Sequence, residues 1–393
     1  MKLLKMNVQG LKLFTNPLDI EFVTHQRVME EDKEDLFRVS SKLYQNTAVA
    51  LIGINASGKT STLKVISFMI QLLNNDSINK IEEKVILQGL RENEEVVLES
   101  FFSWKSEFLY KLRTVIKVRP THEEGKADYY ISDETLWKKE LTKVLTRKSA
   151  FDFSESMIIQ KRKGDEEFLP EDVSIIISMN KKNDSKIYFK DLIQWTNVNL
   201  IRVLGDFPKE LIQYLDPSIE YLAFDLDQDE KKLKGIRLKF RGKDEINMNH
   251  PKEVEMYLSS GTVKGINVFI HALSVLENGG YLILDELENH FNKEIATSLL
   301  RLFMDQRINK RGAAIIFSTH YPEILDRLSR NDNIYFVRNT DGIRVDNLGR
   351  LLKRSDLKKS DVYQSAFIKG TAPQYEAYQA MKRAFSSIVN GEA

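Results

Sequence analysis

The sequence contains no cysteine. That absence excludes disulfides, thiolate zinc sites, a Cys-X-X-Cys zinc hook, iron–sulfur clusters and a cysteine nucleophile. Net charge is lacking too: 58 Lys and Arg stand against 57 Asp and Glu. The whole molecule therefore has no field to gather nucleic acid, and such binding would need a local patch. No apolar run is long enough to span a membrane; the longest clean one near the middle, Val173–Met179, is broken by serines and reads as a buried strand. The N-terminal MKLLKMNVQG carries charge and no signal-peptide core. A cytoplasmic protein without membrane contact is expected. Internal repeats, low-complexity tracts and sustained heptads are also missing, which excludes a long coiled-coil arm. What is present is a globular composition, 42% apolar and 29% charged over 393 residues.

Patterning predicts a β-rich start, with strands within Met1–Leu13 and Asp19–Thr24 around an Asn16-Pro17 turn. Glu30–Asp35 reads as a charged surface loop. Thr47–Ile52 reads as a buried strand, and Lys59–Leu73 as a helix with apolar residues at Leu63, Ile66, Met69 and Leu72. Two strands are expected in Glu95–Val118, helix over Ser132–Lys163 and Ser185–Asn197, and strands again in Ile219–Arg241. A long helix follows over Thr262–Glu277. Strands Tyr281–Leu284 and Ala313–Phe317 flank a helix over Lys293–Met304, the pattern of a parallel right-handed unit. Asn333–Arg338 and Gly342–Val345 read as a hairpin turning at Asp341-Gly342, and Ser360–Ser387 as a helical tail.

Four motifs carry chemistry. Gly53-Ile54-Asn55-Ala56-Ser57-Gly58-Lys59-Thr60 satisfies G-x-x-x-x-G-K-[ST] between an apolar strand and a helix, with Ser61 just beyond. The glycines let the backbone wrap a phosphate chain, and the helix N-terminus offers free N–H groups to the anion. Lys59 would hold the β- and γ-phosphates of ATP, and Thr60 would ligate Mg²⁺. The run Tyr281–Leu284 ends in Asp285-Glu286, a buried strand delivering two carboxylates to its C-terminal edge. Asp285 would bond the Mg²⁺ shell and Glu286 would orient the attacking water. Leu258-Ser259-Ser260-Gly261-Thr262 opens the helix before that strand, and serine hydroxyls on a helix N-terminus make a second anion site. Phe317-Ser318-Thr319-His320 ends the next strand and places one histidine beside the acids.

The order of phosphate loop, serine-glycine turn, acidic pair and histidine resembles the ABC/SMC/RecF-type head, including the OLD-like ATPases. Leu258–Thr262 is similar to the L-S-G-G-Q signature in its S-S-G-T form, and His320 looks like the switch histidine. The flanks Pro322–Asp326 and Lys369–Pro373 are most similar to single-chain ATPases of bacterial abortive-infection and phage-defence operons. The resemblance implies an α/β fold: an ABC-type head with a mixed, mainly parallel P-loop sheet, a β-rich N-terminal lobe and an α/β insertion. Residues 1–75 would open the head, 76–257 form the insertion, 258–350 complete the head and 351–393 form the tail. It further implies that two copies close head to tail, each offering Ser259, Ser260, Gly261 and Thr262 to the γ-phosphate held by the other. Turnover would then control a separately encoded effector such as a nuclease or toxin. A RecF-like DNA-binding ATPase and an ATP-bound, antitoxin-like scaffold with little turnover are the alternatives.

Some features depart from the pattern. Leu287–Asn292 occupies the D-loop position without its usual wording, and His290 either stands in or packs. The Q-loop glutamine has two candidates, Gln160 and Asn180, neither within a clear motif. The stretch after His320 is shorter than a Toprim nuclease domain needs. Arg237, Lys239 and Arg241 alternate with apolar residues; a solvated edge strand is favoured over a nucleic-acid face. Lys353, Arg354, Lys358 and Lys359 form a second basic cluster with the same two readings, and Lys161-Arg162-Lys163 reads as a loop.

Overall fold

The computed structural model describes residues 1–105, 107–120, 127–144, 146–162, 168–183, 186–195, 201, 207–227, 233–289, 291–352, 357–365 and 375–390. The strands in chain order are β1 (Lys2–Gln9), β2 (Leu18–Glu21), β3 (Leu36–Arg38), β4 (Tyr44–Asn46), β5 (Ala48–Ile52), β6 (Val96–Trp104), β7 (Phe108–Pro120), β8 (Ala127–Glu140), β9 (Ile158–Lys161), β10 (Phe189–Asp191), β11 (Ile219–Leu226), β12 (Leu233–Phe240), β13 (Glu245–Met248), β14 (Tyr281–Leu284), β15 (Ala314–Thr319), β16 (Ile334–Asn339) and β17 (Ile343–Asn347). An antiparallel sheet runs β2-β1-β6-β7-β8-β9. A second sheet runs β10-β14-β15-β5-β16-β17, parallel except for the final β16–β17 hairpin.

Alternation along the parallel strands divides the core. Tyr281 and Ile283 join Val49, Leu51 and Ile316 in a cluster shared with Leu3, Met6, Leu98 and Phe102 of the antiparallel sheet. The helix Lys59–Leu73 is wedged into this cluster, which explains why eleven of its fifteen residues are buried, polar Thr62 and Ser67 included. Leu282 and Leu284 point the other way, onto the helices Ser260–Asn278 and Lys293–Met304. The smaller sheet β11-β12-β13 packs with Ile212 against Val263 and Ile266, in the first turns of the Ser260–Asn278 helix.

Several expectations fail locally. Ser132–Lys163 is not helical: β8 covers its start, with a short helix at Arg147–Ala150 and β9 after it. Tyr129, Ile131 and Leu136 are buried while Asp128, Asp133, Lys138, Lys139 and Glu140 keep solvent contact, so most of the charge belongs to a half-solvated strand. Val173–Met179 is not a strand. Buried Glu134 on β8 accepts from Ser174 Oγ (2.7 Å), Thr114 Oγ1 (2.7 Å) and Ile175 N (2.7 Å), curling the apolar run into a turn before the helix Ile177–Asn183. A short apolar run carries no period to tell these apart. Within Ser185–Asn197, β10 pairs parallel with β14 and is followed by a 3-10 turn, Ile193–Trp195. Glu30–Asp35 is likewise a 3-10 turn over Glu31–Asp35 rather than loop.

Within the basic patches, Arg162, Arg237 and Lys239 face carboxylates. β12 is the middle strand of its sheet, not an edge: Arg237 meets Asp225 at 2.9 Å and Lys239 meets Glu220 at 3.4 Å, while Arg241 lies just past the strand. Lys161 ends β9, and buried Arg162 donates to Val173 O and lies 3.8 Å from Glu134. Lys359 is buried, its ammonium pKa lowered by desolvation against the pull of Asp326, and Lys358 stands just before the helix Lys359–Gln364 without a side-chain cap bond. The tail is helical at Lys359–Gln364 and Tyr375–Val389. Lys163, His290, Lys353, Arg354 and residues 369–373 lie outside the described residues. Among the described residues no helix is long and apolar enough to cross a membrane.

Candidate functional site

The site forms where β5, β14 and β15 end together. Parallel pairing in register brings Ile52 opposite Thr319 and Leu284 opposite Phe317, so the residues that follow these strands share one edge. After β5 the chain turns tightly. A Cβ on Gly53 would sit 2.3 Å from Val337 O, and Gly58 has φ +101 with Ile343 Cδ1 2.5 Å from where a Cβ would be. Ala56 also takes positive φ. Gly58→Ala is expected to cost about 1–3 kcal/mol from the left-handed backbone and the clash, read as a lowered urea midpoint.

Lys59 lies beneath this loop, 5% exposed. Its Nζ donates to Gly53 O at 2.9 Å and Ile54 O at 3.1 Å and lies 3.3 Å from His320 Nδ1. Burial lowers its pKa, opposed by Asp285, Glu288 and Glu286. Asn55, Ala56, Ser57, Gly58, Lys59, Thr60, Ser61, Glu286 and His320 line one cleft of about 520 Å³, within the size range of small-ligand sites. Lys12, Leu13, Asn339, Gly342 and Ile343 complete its wall. The β1–β2 turn and the β16–β17 hairpin are fastened by Ile343 N to Leu13 O (2.8 Å) and Thr15 Oγ1 to Asp341 O (2.9 Å).

The acids sit opposite the loop. Thr60 Oγ1 donates to Asp285 Oδ2 at 2.6 Å, uniting the residues expected to serve a metal. Ser318 Oγ donates to Asp285 Oδ1 and accepts from Glu286 N at 2.7 Å. Glu286 takes φ +48, a costly backbone for a non-glycine residue that its neighbours hold in place. Its Oε1 lies 3.6 Å from His320 Nε2, and its Oε2 accepts from Asn289 Nδ2. Among the described residues no group of three His, Asp or Glu could hold a metal. A hydroxyl and one carboxylate suit Mg²⁺, which keeps waters and takes phosphate oxygens for its other positions. ATP–Mg²⁺ therefore fits the residues present.

The residues similar to the signature, Ser259–Thr262, stand elsewhere. Ser259 caps the Ser260–Asn278 helix, its Oγ accepting from Thr262 N at 3.1 Å and bonded to Thr262 Oγ1 at 2.8 Å. Ser259, Ser260 and Gly261 are exposed, Thr262 is buried, and none of the four lines the cleft. Neither Q-loop candidate reaches it: Gln160 accepts from Ser178 Oγ, and buried Asn180 donates to Leu73 O. The strand beside β14 at the shared edge is β10, which ends in Asp191, its carboxyl pushed up to about 6 by burial, with Gln194 three residues on. Gln194 does not reach the cleft either: its Nε2 donates to Glu82, and it lines a separate hollow with Gln71 and Glu83. Reading the sequence missed Ser318 and Glu288. Glu288 accepts from His320 N and from Thr319 Oγ1 at 2.8 Å, pinning the histidine turn to the segment after Glu286. The repeated acid in Asp285-Glu286-Leu287-Glu288 was its visible trace.

A central parallel sheet with a phosphate loop after β5, a Thr–carboxylate pair and a second acid in one cleft defines a P-loop ATPase. Over residues 48–326 the chain matches the family described as "AAA domain, putative AbiEii toxin, Type IV TA system", and it belongs to that family. The resemblance to abortive-infection ATPases read from the motifs stands. A comparison with curated proteins finds no match. Among solved structures the chain is similar to one titled "Crystal structure of the SmcHead bound to the C-winged helix domain of ScpA", with 14% identity and a TM-score of 0.44 over 90% of this chain and 100% of that one.

Proposed function

We propose that this ATPase is a switch that closes head to tail with a second copy around ATP–Mg²⁺ and, by hydrolysing it, controls a separately encoded effector in anti-phage defence. The division of the site carries this reading. The phosphate loop, Asp285, Glu286 and His320 share one cleft, whereas the exposed, helix-capping Ser259–Gly261 segment, a ready anion site, does not line it. A second copy would supply the missing half. Lys59 and the loop amides would hold the triphosphate, Thr60 and Asp285 the metal shell, Glu286 the attacking water, and His320 the transition-state charge. The family's description as a Type IV toxin–antitoxin system supports a second gene product as partner.

The DNA-clamp reading loses support at β12, where carboxylates already neutralise Arg237 and Lys239. The test is the mass of the complex purified with its operon neighbour. With ATP it should contain two copies of this chain plus the neighbour, and Ser260→Arg should abolish the two-copy form. Unchanged mass with and without ATP would refute the switch.

A further inference from the structure

The Ser260–Asn278 helix reaches its own chain's catalytic segment through Lys264. Lys264, four residues and about one turn after Ser260, donates from Nζ to Asn289 O at 3.0 Å. Asn289 in turn donates through Nδ2 to Glu286 Oε2 and through N to Glu286 O at 2.8 Å. The Glu286 amide is held by Ser318 Oγ, and its φ is +48. Backbone and carboxylate of Glu286 are thus both fixed by residue 289, whose own carbonyl is held from the helix that begins at Ser260.

We infer that Lys264 and Asn289 are positioning residues that couple the two nucleotide sites of the closed pair. This rests on the head-to-tail reading above and adds the route by which one site informs the other. Ser260 of one copy meets the triphosphate bound by its partner. The helix is rigid, so a shift of its first turn moves Lys264 on the same face. Lys264 carries Asn289 with it, and Asn289 sets the angle of the Glu286 carboxylate toward its own cleft. Each copy therefore aims its carboxylate only when the other copy holds ATP. Two sites biased through one two-state element give cooperative turnover. Neither residue lines the cleft; both act through Glu286.

The experiment compares wild type, Lys264→Met, Lys264→Arg and Asn289→Ala in steady-state ATP hydrolysis across ATP concentration. Pair formation with ATP is measured by sedimentation for Glu286→Gln, alone and combined with Lys264→Met. Lys264→Met and Asn289→Ala should lose kcat on the order of tenfold, the scale of one positioning hydrogen bond, with KM little changed and the Hill coefficient falling to one. Lys264→Arg should restore both kcat and cooperativity, which a purely structural defect would not do. The paired form should persist in the Glu286→Gln, Lys264→Met double variant. A pair that forms while Lys264→Met turns over cooperatively like wild type overturns the coupling alone. So does a double variant that no longer pairs, because Lys264 would then act on closure. Glu286→Gln that stays monomeric with ATP overturns the head-to-tail reading and the coupling with it.

Discussion

Lys59→Ala is expected to weaken ATP binding by at least about 100-fold while leaving the fold intact. The ammonium donates to two backbone carbonyls and lies beside His320, and burial has lowered its pKa, so it stands desolvated and ready for an anion. Two charge-assisted hydrogen bonds to phosphate, each worth about 1.5–3 kcal/mol, set the scale of the loss. The free protein should tolerate the change, because alanine removes a desolvated cation as well as the bonds it makes to Gly53 and Ile54. Thermal unfolding with and without nucleotide separates the two effects. Wild type at 100 times its dissociation constant gains about 2.7 kcal/mol from ATP; the variant should gain almost nothing from the same concentration. The direction of the pKa shift adds a pH signature. Phosphate favours the charged amine, so binding above the lowered pKa takes up a proton, and wild-type affinity should fall as pH rises on the alkaline side. Lys59→Ala should lack that slope, and normal ATP affinity in it would refute the site.

The elements that build the candidate site were more legible in the sequence than the framework around it. Gly53–Thr60 and Asp285-Glu286 each combine a buried strand with a polar end, a pattern that needs only local order to read. The helices Lys59–Leu73 and Lys293–Met304 were legible to the residue because their periods were long and clean. What was hidden depended on distant partners. β10 is three residues of strand whose identity comes from pairing with β14 almost a hundred positions away. The turn at Ser174–Ile175 exists because Glu134 reaches it from another strand. β12 looked like an exposed basic edge until β11 and β13 supplied Asp225, Glu220 and a strand on each side. Glu288 and Asn289 had no motif of their own; their roles appear only once the chain after Glu286 folds back on His320 and Lys264.

Glu286→Gln should lower turnover by about 10²- to 10⁴-fold, the span typical of removing a positioned general base, and should leave ATP bound. The substitution keeps side-chain length and keeps an oxygen that can accept from Asn289 Nδ2, so the strained backbone at φ +48 and its bond to Ser318 need not change. What it removes is the negative charge 3.6 Å from His320 Nε2, and with it the group that polarises water. Asp285, Thr60 and Lys59 remain, so ATP–Mg²⁺ affinity should stay within about threefold of wild type, because none of the charge-assisted contacts to phosphate is lost. Chemistry would then be blocked after binding, and the ATP-bound pair should accumulate. Single-turnover hydrolysis measured beside nucleotide retention on a sizing column distinguishes this from a binding defect. Weak ATP retention would assign Glu286 to binding, and wild-type turnover would remove it from the chemistry. Unchanged control of the partner by the inactive variant would mean that occupancy alone, not hydrolysis, carries the signal.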